Sequence, residues 1–192
     1  MMKFGYALIV VTIGLMIWAS SVKALKAPDS PCVFSSLCTC SNGDVDSIGT
    51  VKCSNVDFPA IPDAFNTTKV YSLKMENTGL SEIEPFFLQS TALYRLEISH
   101  NPLYYIHDES FSGLGRSLWH LILSYNDLED IPTNALRYLQ KLQSLDLTGN
   151  EISFIKPNSF RGLQNNLQTL ILADNSLNTF TGEAFQGLPN LV

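Results

Sequence analysis

Apolar residues in this chain recur with a spacing that fits neither a single amphipathic helix nor a simple strand alternation. From Val70 onward they return in blocks of about 24 residues, each with the order apolar-x-x-apolar-x-apolar-x-x-polar-x-apolar. The copies read Val70-Leu73-Met75-Thr78-Leu80, Leu93-Leu96-Ile98-Asn101-Leu103, Leu118-Leu121-Leu123-Asn126-Leu128, Leu142-Leu145-Leu147-Asn150-Ile152 and Leu167-Leu170-Leu172-Asn175-Leu177. A sixth opens at Leu191 and breaks off at Val192, as expected of the N-terminal end of a longer protein. The inner apolar-x-apolar unit predicts a short strand, because alternation sends Leu121 and Leu123 inward and Ile122 outward. Asparagine suits the corner that follows, since its amide can both donate to and accept from backbone groups that a turning chain leaves unpaired. Stacked copies would line up Asn101, Asn126, Asn150 and Asn175 as a buried polar ladder. Thr78 departs from the pattern in the first copy, where a terminal position relaxes the demand.

A second apolar set fills the far half of each copy. Ile106, Phe111 and Leu114 are matched by Ile131, Leu136 and Leu139, then Ile155, Phe160 and Leu163, then Phe180, Phe185 and Leu188. The first copy runs one residue short, with Ile83 and Phe87 in these places. Pro85, Pro132 and Pro157 disfavour long helices in these outer segments. One copy is too small to hold itself together, so neighbours must stack and share their core. Repetition at this period with a fixed asparagine is the leucine-rich repeat signature. The expected fold is an α/β leucine-rich repeat solenoid with a parallel sheet of short strands on its concave face. Its outer segments are expected to be mostly irregular or short helical.

The N-terminus adds a different pattern. A cationic start at Met1 to Lys3 precedes an apolar run from Tyr6 to Trp18 and a small-residue exit at Val22-Lys23-Ala24 or Ala19-Ser20-Ser21. The run is shorter than the roughly 20 residues that span a bilayer, so residues 1–24 read as a secretory signal peptide rather than an anchor. Their removal takes away Lys3 and Lys23 and no acid, moving the net charge from −6 to −8. An acidic chain of this kind argues against nucleic acid and anionic membrane as principal partners.

All four cysteines, Cys32, Cys38, Cys40 and Cys53, cluster between leader and repeats, which reads as two disulfides in an oxidising compartment. Of the three possible pairings, the close spacing of Cys38 and Cys40 disfavours the one that joins them and leaves two open. A zinc site is the weaker reading, with no histidine nearby. Residues 25–69 thus form a cysteine-rich cap that would cover the open first repeat with Val56, Phe58 and Ile61, and residues 70–192 form the repeats. Asn66-Thr67-Thr68 is a glycosylation sequon at their seam, the alternative being an unmodified turn or capping Asn66.

The spacing Cys32-x5-Cys38-x-Cys40-x12-Cys53 before 24-residue repeats resembles extracellular leucine-rich repeat proteins with a cysteine-rich N-terminal cap. That resemblance implies Cys32–Cys40 and Cys38–Cys53 pairing. The stretches MENTGLSEIEPFFLQSTALYRLEIS (75–99), RSLWHLIL (116–123), LQKLQSLDL (139–147) and SFRGLQNNLQTLIL (159–172) go further. Together with KFGYA of the leader, they resemble leucine-rich repeat adhesion proteins of photoreceptor cell surfaces at positions the repeat does not dictate. The resemblance implies a cell-adhesion glycoprotein that binds another copy of itself on an opposing cell. It also implies attachment to the outer membrane leaflet by a C-terminal lipid anchor that would lie beyond Val192.

On the concave face, outward positions include Tyr71, Lys74 and Glu76, then Tyr94, Arg95, Glu97 and His100, then Trp119, His120, Ile122 and Tyr125. Later strands offer Gln143, Asp146 and Thr148, then Gln168, Thr169, Ile171 and Asp174. Aromatic residues beside an arginine have the composition of a binding hot spot, which makes Tyr94, Arg95, Trp119, His120, Ile122 and Tyr125 the candidate protein contacts. The competing reading is that these rings pack along the sheet. No catalytic residue, cofactor or metal is expected. His100 and His120 fall about five residues out of register, on the order of 16 Å apart, and His107 lies on the turn beyond. Asp127, Glu129 and Asp130 read as a solvated turn rather than a calcium site. The alternative function is the ligand-recognition ectodomain of a Toll-like leucine-rich repeat receptor, since the scaffold alone does not choose between them.

Overall fold

The computed structural model describes residues 30–32, 35–42, 48–58, 69–89, 91–180 and 182–192. The leader, Ile61 and Asn66 lie outside the described residues. Strands are numbered in chain order. The cap contributes β1 (Ser30–Cys32), β2 (Ser35–Asn42) and β3 (Ile48–Ser54). The repeats contribute β4 (Val70–Glu76), β5 (Glu82–Ile83), β6 (Arg95–Ser99), β7 (Tyr105–Ile106) and β8 (His120–Ile122). They continue with β9 (Ser144–Asp146), β10 (Phe154–Ile155), β11 (Thr169–Ile171) and β12 (Thr179–Phe180).

One sheet runs through cap and repeats in the order β1-β2-β3-β4-β6-β8-β9-β11. The cap strands pair antiparallel with each other, and from β3 onward every pairing is parallel. The register places Leu73, Leu96, Leu121, Leu145 and Leu170 side by side, so the repeat seen in sequence becomes a continuous row in space. Leu96, Leu121 and Leu145 are fully buried, and Leu123 and Leu147 complete the inner layer. Outer residues Ile106, Phe111, Leu114, Leu136, Leu139, Ile155, Phe160 and Leu163 close the core from the other side.

Helix among the described residues is confined to short turns. These are 3-10 turns at Ser112–Leu114 and Gly182–Phe185, and a single α-turn at Thr133–Leu136 that follows Pro132. Two-residue parallel ladders, β5 with β7 and β10 with β12, tie neighbouring outer segments together.

The polar corner behaves as its chemistry requires. Asn101, Asn126 and Asn150 are buried. Asn126 Nδ2 donates to the Ile98 carbonyl of the preceding copy at 2.9 Å, and its Oδ1 accepts from the Asn101 amide at 3.1 Å. Asn150 and Asn175 likewise donate back one copy, to Leu123 and Leu147. Thr78, expected to be a relaxed end position, is instead fully buried. Its hydroxyl and its amide both donate to Asn101 Oδ1, at 2.9 and 2.7 Å, so the ladder starts at Thr78 with a shorter side chain.

The residue just before each of these corners adopts left-handed backbone: Asn77, His100, Tyr125, Gly149 and Asp174, with Asn55 in the cap. In that conformation Asn55, Asn77, His100, Tyr125 and Gly149 aim their amides at a carbonyl of the next copy. The stack therefore fixes a conformation that histidine and tyrosine rarely adopt unaided.

Cys32 is bonded to Cys40 and Cys38 to Cys53. Cys53 lies in register with Met75, and Val51 with Leu73, all four essentially inaccessible, so the cap extends the core of the repeats. Phe58 is buried at the same end.

Candidate functional site

The concave surface carries three features, each set by the strand register. The first is an aromatic row. Tyr71, Tyr94 and Trp119 occupy the same position in successive copies, and the Tyr94 and Trp119 amides donate to the carbonyls of Tyr71 and Tyr94. Backbone spacing of about 4.8 Å between strands sets the ring spacing. Tyr71 and Tyr94 stack at 4.8 Å between centroids, and Tyr94 and Trp119 at 5.6 Å. His120 packs edge-on against Tyr94 with its Nε2 3.2 Å from the phenol oxygen. Burial, together with the nearby Arg95 charge, lowers the His120 pKa, which favours the neutral ring. The row ends where the copies carry Gln143 and Gln168 instead.

The second feature is a charge row in the middle of β4 and β6. Lys74 Nζ reaches Glu97 at 2.9 Å and Glu76 at 3.0 Å, while Arg95 meets the other Glu97 oxygen at 3.1 Å. Partial burial works to raise the Glu97 pKa, but the hydrogen bonds from Lys74 and Arg95 outweigh it and hold the carboxylate below its ordinary value. The same bond to Glu97 raises the Lys74 pKa against its own desolvation. Beyond the row, Glu97 is in register with Ile122 and Asp146, which turns the face from charged to mixed.

The third feature is a pair of rings at the opposite end of the strands. His100 and Tyr125 stack at 4.7 Å. A Cβ placed on Gly149 would lie 2.4 Å from the Tyr125 ring, so the missing side chain is what lets that ring lie across the corner of the next copy.

The structure thus brings Tyr94, Arg95, Trp119 and His120 into one patch and leaves Ile122 beside it. Tyr125 does not join that patch. It sits past the strand end, where the corner turns the chain, and pairs with His100. The rings pack along the sheet, as the competing sequence reading expects, and they also remain partly exposed, Tyr71 at 53% and Tyr125 at 48%. The acidic turn at Asp127, Glu129 and Asp130 is tied down by Lys156, whose Nζ lies 3.0 Å from an Asp130 oxygen on the exposed surface.

One constellation escaped the sequence. The β5–β7 ladder brings His107 Nε2 within 3.5 Å of Glu82 and 3.8 Å of Glu84. These residues belong to different copies of unequal length, and only the outer-segment register shows them to be neighbours.

Comparison with known proteins agrees with this architecture. The leucine rich repeat family matches residues 116–165 and 141–192. Chaoptin of Drosophila melanogaster is 52% identical over 151 residues, an alignment covering 75% of this chain and 11% of chaoptin. This is a chaoptin-like leucine-rich repeat protein. The chain spans about a tenth of the length of that relative. The shared stretch is long enough to include most of the strands that build the concave face.

Proposed function

We propose that this chain is part of a cell-surface adhesion protein that uses the concave sheet to bind another copy of itself on an opposing cell. The observation that carries the reading is the aromatic and charge row on β4, β6 and β8, displayed on a scaffold with chaoptin-like sequence. A rigid parallel sheet holds the rings of Tyr71, Tyr94 and Trp119 in place before contact, so little side-chain freedom is lost on binding. Arg95 and Lys74, already paired to Glu97, add polar groups at fixed positions around the rings, an arrangement suited to specificity more than to raw affinity. The disulfide-bonded cap fits an oxidising extracellular setting. In this reading residues 1–24 direct secretion and are removed, Asn66 carries a glycan, residues 25–69 form the cap, and residues 70–192 are the repeats.

The test is a mixing assay with the full-length protein displayed on non-adherent cells. Expressing cells should aggregate with each other and exclude non-expressing cells carrying a second dye. Y94A and W119A together should abolish aggregation at equal surface level. Aggregates that recruit non-expressing cells equally would overturn the like-with-like reading, and normal aggregation of the double variant would overturn the assignment of the surface.

A further inference from the structure

We propose that the outer face carries a zinc site formed by Glu82, Glu84 and His107. The pairing of Glu82 with Tyr105 and Ile83 with Ile106 sets the geometry. Ile83 and Ile106 turn into the core, which forces the residues on either side of them to the surface. Glu82 and Glu84, two apart, therefore emerge on one side, and His107 emerges beside them from the next copy. Its backbone is held by the hydrogen bond that its amide donates to the Ile83 carbonyl at 3.1 Å.

One nitrogen and two carboxylate oxygens, one from each side chain, lie within 4.8 Å of one another, with His107 Nε2 3.5 Å from Glu82 Oε2 and 3.8 Å from Glu84 Oε2. Tetrahedral zinc with bonds of about 2.0–2.1 Å needs donors roughly 3.4 Å apart. The two His107 distances meet that demand with adjustments of a few tenths of an ångström. The two carboxylate oxygens, within 4.8 Å of each other, close by up to about 1.4 Å through rotation of partly exposed side chains. The donor set of one imidazole and two carboxylates suits zinc, whereas calcium requires six to eight oxygens and no nitrogen. A fourth position remains for water.

Two further observations point to a cation here. Among the described residues neither Glu82 nor Glu84 pairs with a lysine or arginine, so the two converging carboxylates have only the imidazole to balance them. The first ligand is also oriented from behind. The Tyr104 hydroxyl donates to Glu82 Oε1 and leaves Oε2 for the ion. The Tyr105 ring packs edge-on to His107 at 4.7 Å and restricts the imidazole. Because the ligands come from two successive copies, a bound ion would staple the first repeat to the second.

The experiment is calorimetric titration of the secreted protein with Zn2+ in a non-chelating buffer, together with melting with and without the ion. The wild type should bind one equivalent that is lost in excess chelator, and zinc should raise its melting temperature. H107Q and E84Q should each weaken binding at least about tenfold and remove the zinc-dependent rise, while melting like the wild type without metal. Both positions are partly exposed, so at least one variant will fold. Absence of zinc binding, or wild-type affinity retained in both variants, would overturn the site. So would binding of Ca2+ that E84Q abolishes and H107Q leaves intact.

Discussion

Asn126 shows how one side chain joins two copies. Its amide donates to Ile98 and accepts from Asn101, so replacement by alanine leaves a buried carbonyl and a buried amide without partners. Asn126→Ala should lower the unfolding free energy by about 2–4 kcal/mol, read as a fall in the urea midpoint at unchanged slope. Gly149 is the second test at this scale. Its left-handed backbone and the Tyr125 ring 2.4 Å from any added Cβ both exclude alanine. Gly149→Ala should cost at least about 1–2 kcal/mol from backbone conformation alone. The asparagines could be read from sequence because their demand is local and repeats at a fixed interval. The Tyr125–Gly149 contact could not, since it depends on where the neighbouring copy places a ring.

At the scale of elements, the β4–β6 charge row makes stability depend on pH with a definite sign. Glu97 titrates lower in the fold than its ordinary value of 4.5. Its contribution is therefore complete above pH 4.5 and is lost as pH falls through the depressed folded value. His120 adds to this in the same direction, with its own contribution complete above pH 6.5 and lost as pH falls through its lowered folded pKa. Melting temperatures measured from pH 7 to pH 3 should fall, with Glu97→Gln flattening the part below about pH 4.5 and His120→Gln the part below about pH 6.5. The aromatic row gives a second prediction. Tyr94 stacks on both Tyr71 and Trp119, so Tyr94→Ala should cost about 1–3 kcal/mol beyond the lost area. It should also red-shift Trp119 emission as the indole loses its neighbour. The rings were legible as surface residues, but their division into two rows was not. Tyr125 follows the strand through a left-handed corner whose position is set by a hydrogen bond to Thr148 in the next copy.

Across the whole molecule, protection should be graded from cap to C-terminal copy. The cap is cross-linked, and the middle copies bury Leu96, Leu121 and Leu145 completely between neighbours. In the fifth copy Leu170, Leu172 and Leu177 are only partly buried, and Ile171 is 39% exposed. Hydrogen exchange of the 192-residue chain should be slowest in β6, β8 and β9 and faster by orders of magnitude in β11, because local opening there exposes little additional apolar surface. Uniform protection across the strands would contradict this. At the other end, Cys38–Cys53 closes a separation of 15 residues. Breaking it in a Cys38→Ser, Cys53→Ser variant should cost about 3 kcal/mol and uncover the core beside Met75.

The sequence by itself determined the period, the inward and outward positions of the concave-face strand in each repeat, the asparagine ladder and the irregular outer wall. All of these follow from side-chain patterns within one copy, repeated until the copies must stack. It also marked the cysteines as a cap, although spacing alone left two pairings open. Tertiary structure decided the rest. It made Thr78 part of the ladder, placed Tyr94 between Tyr71 and Trp119, set Tyr125 over Gly149, and carried His107 to Glu82 and Glu84. Each of these contacts joins residues more than 20 positions apart in copies of slightly different length. Their meeting depends on the register between strands, which the whole stack fixes and no single copy contains.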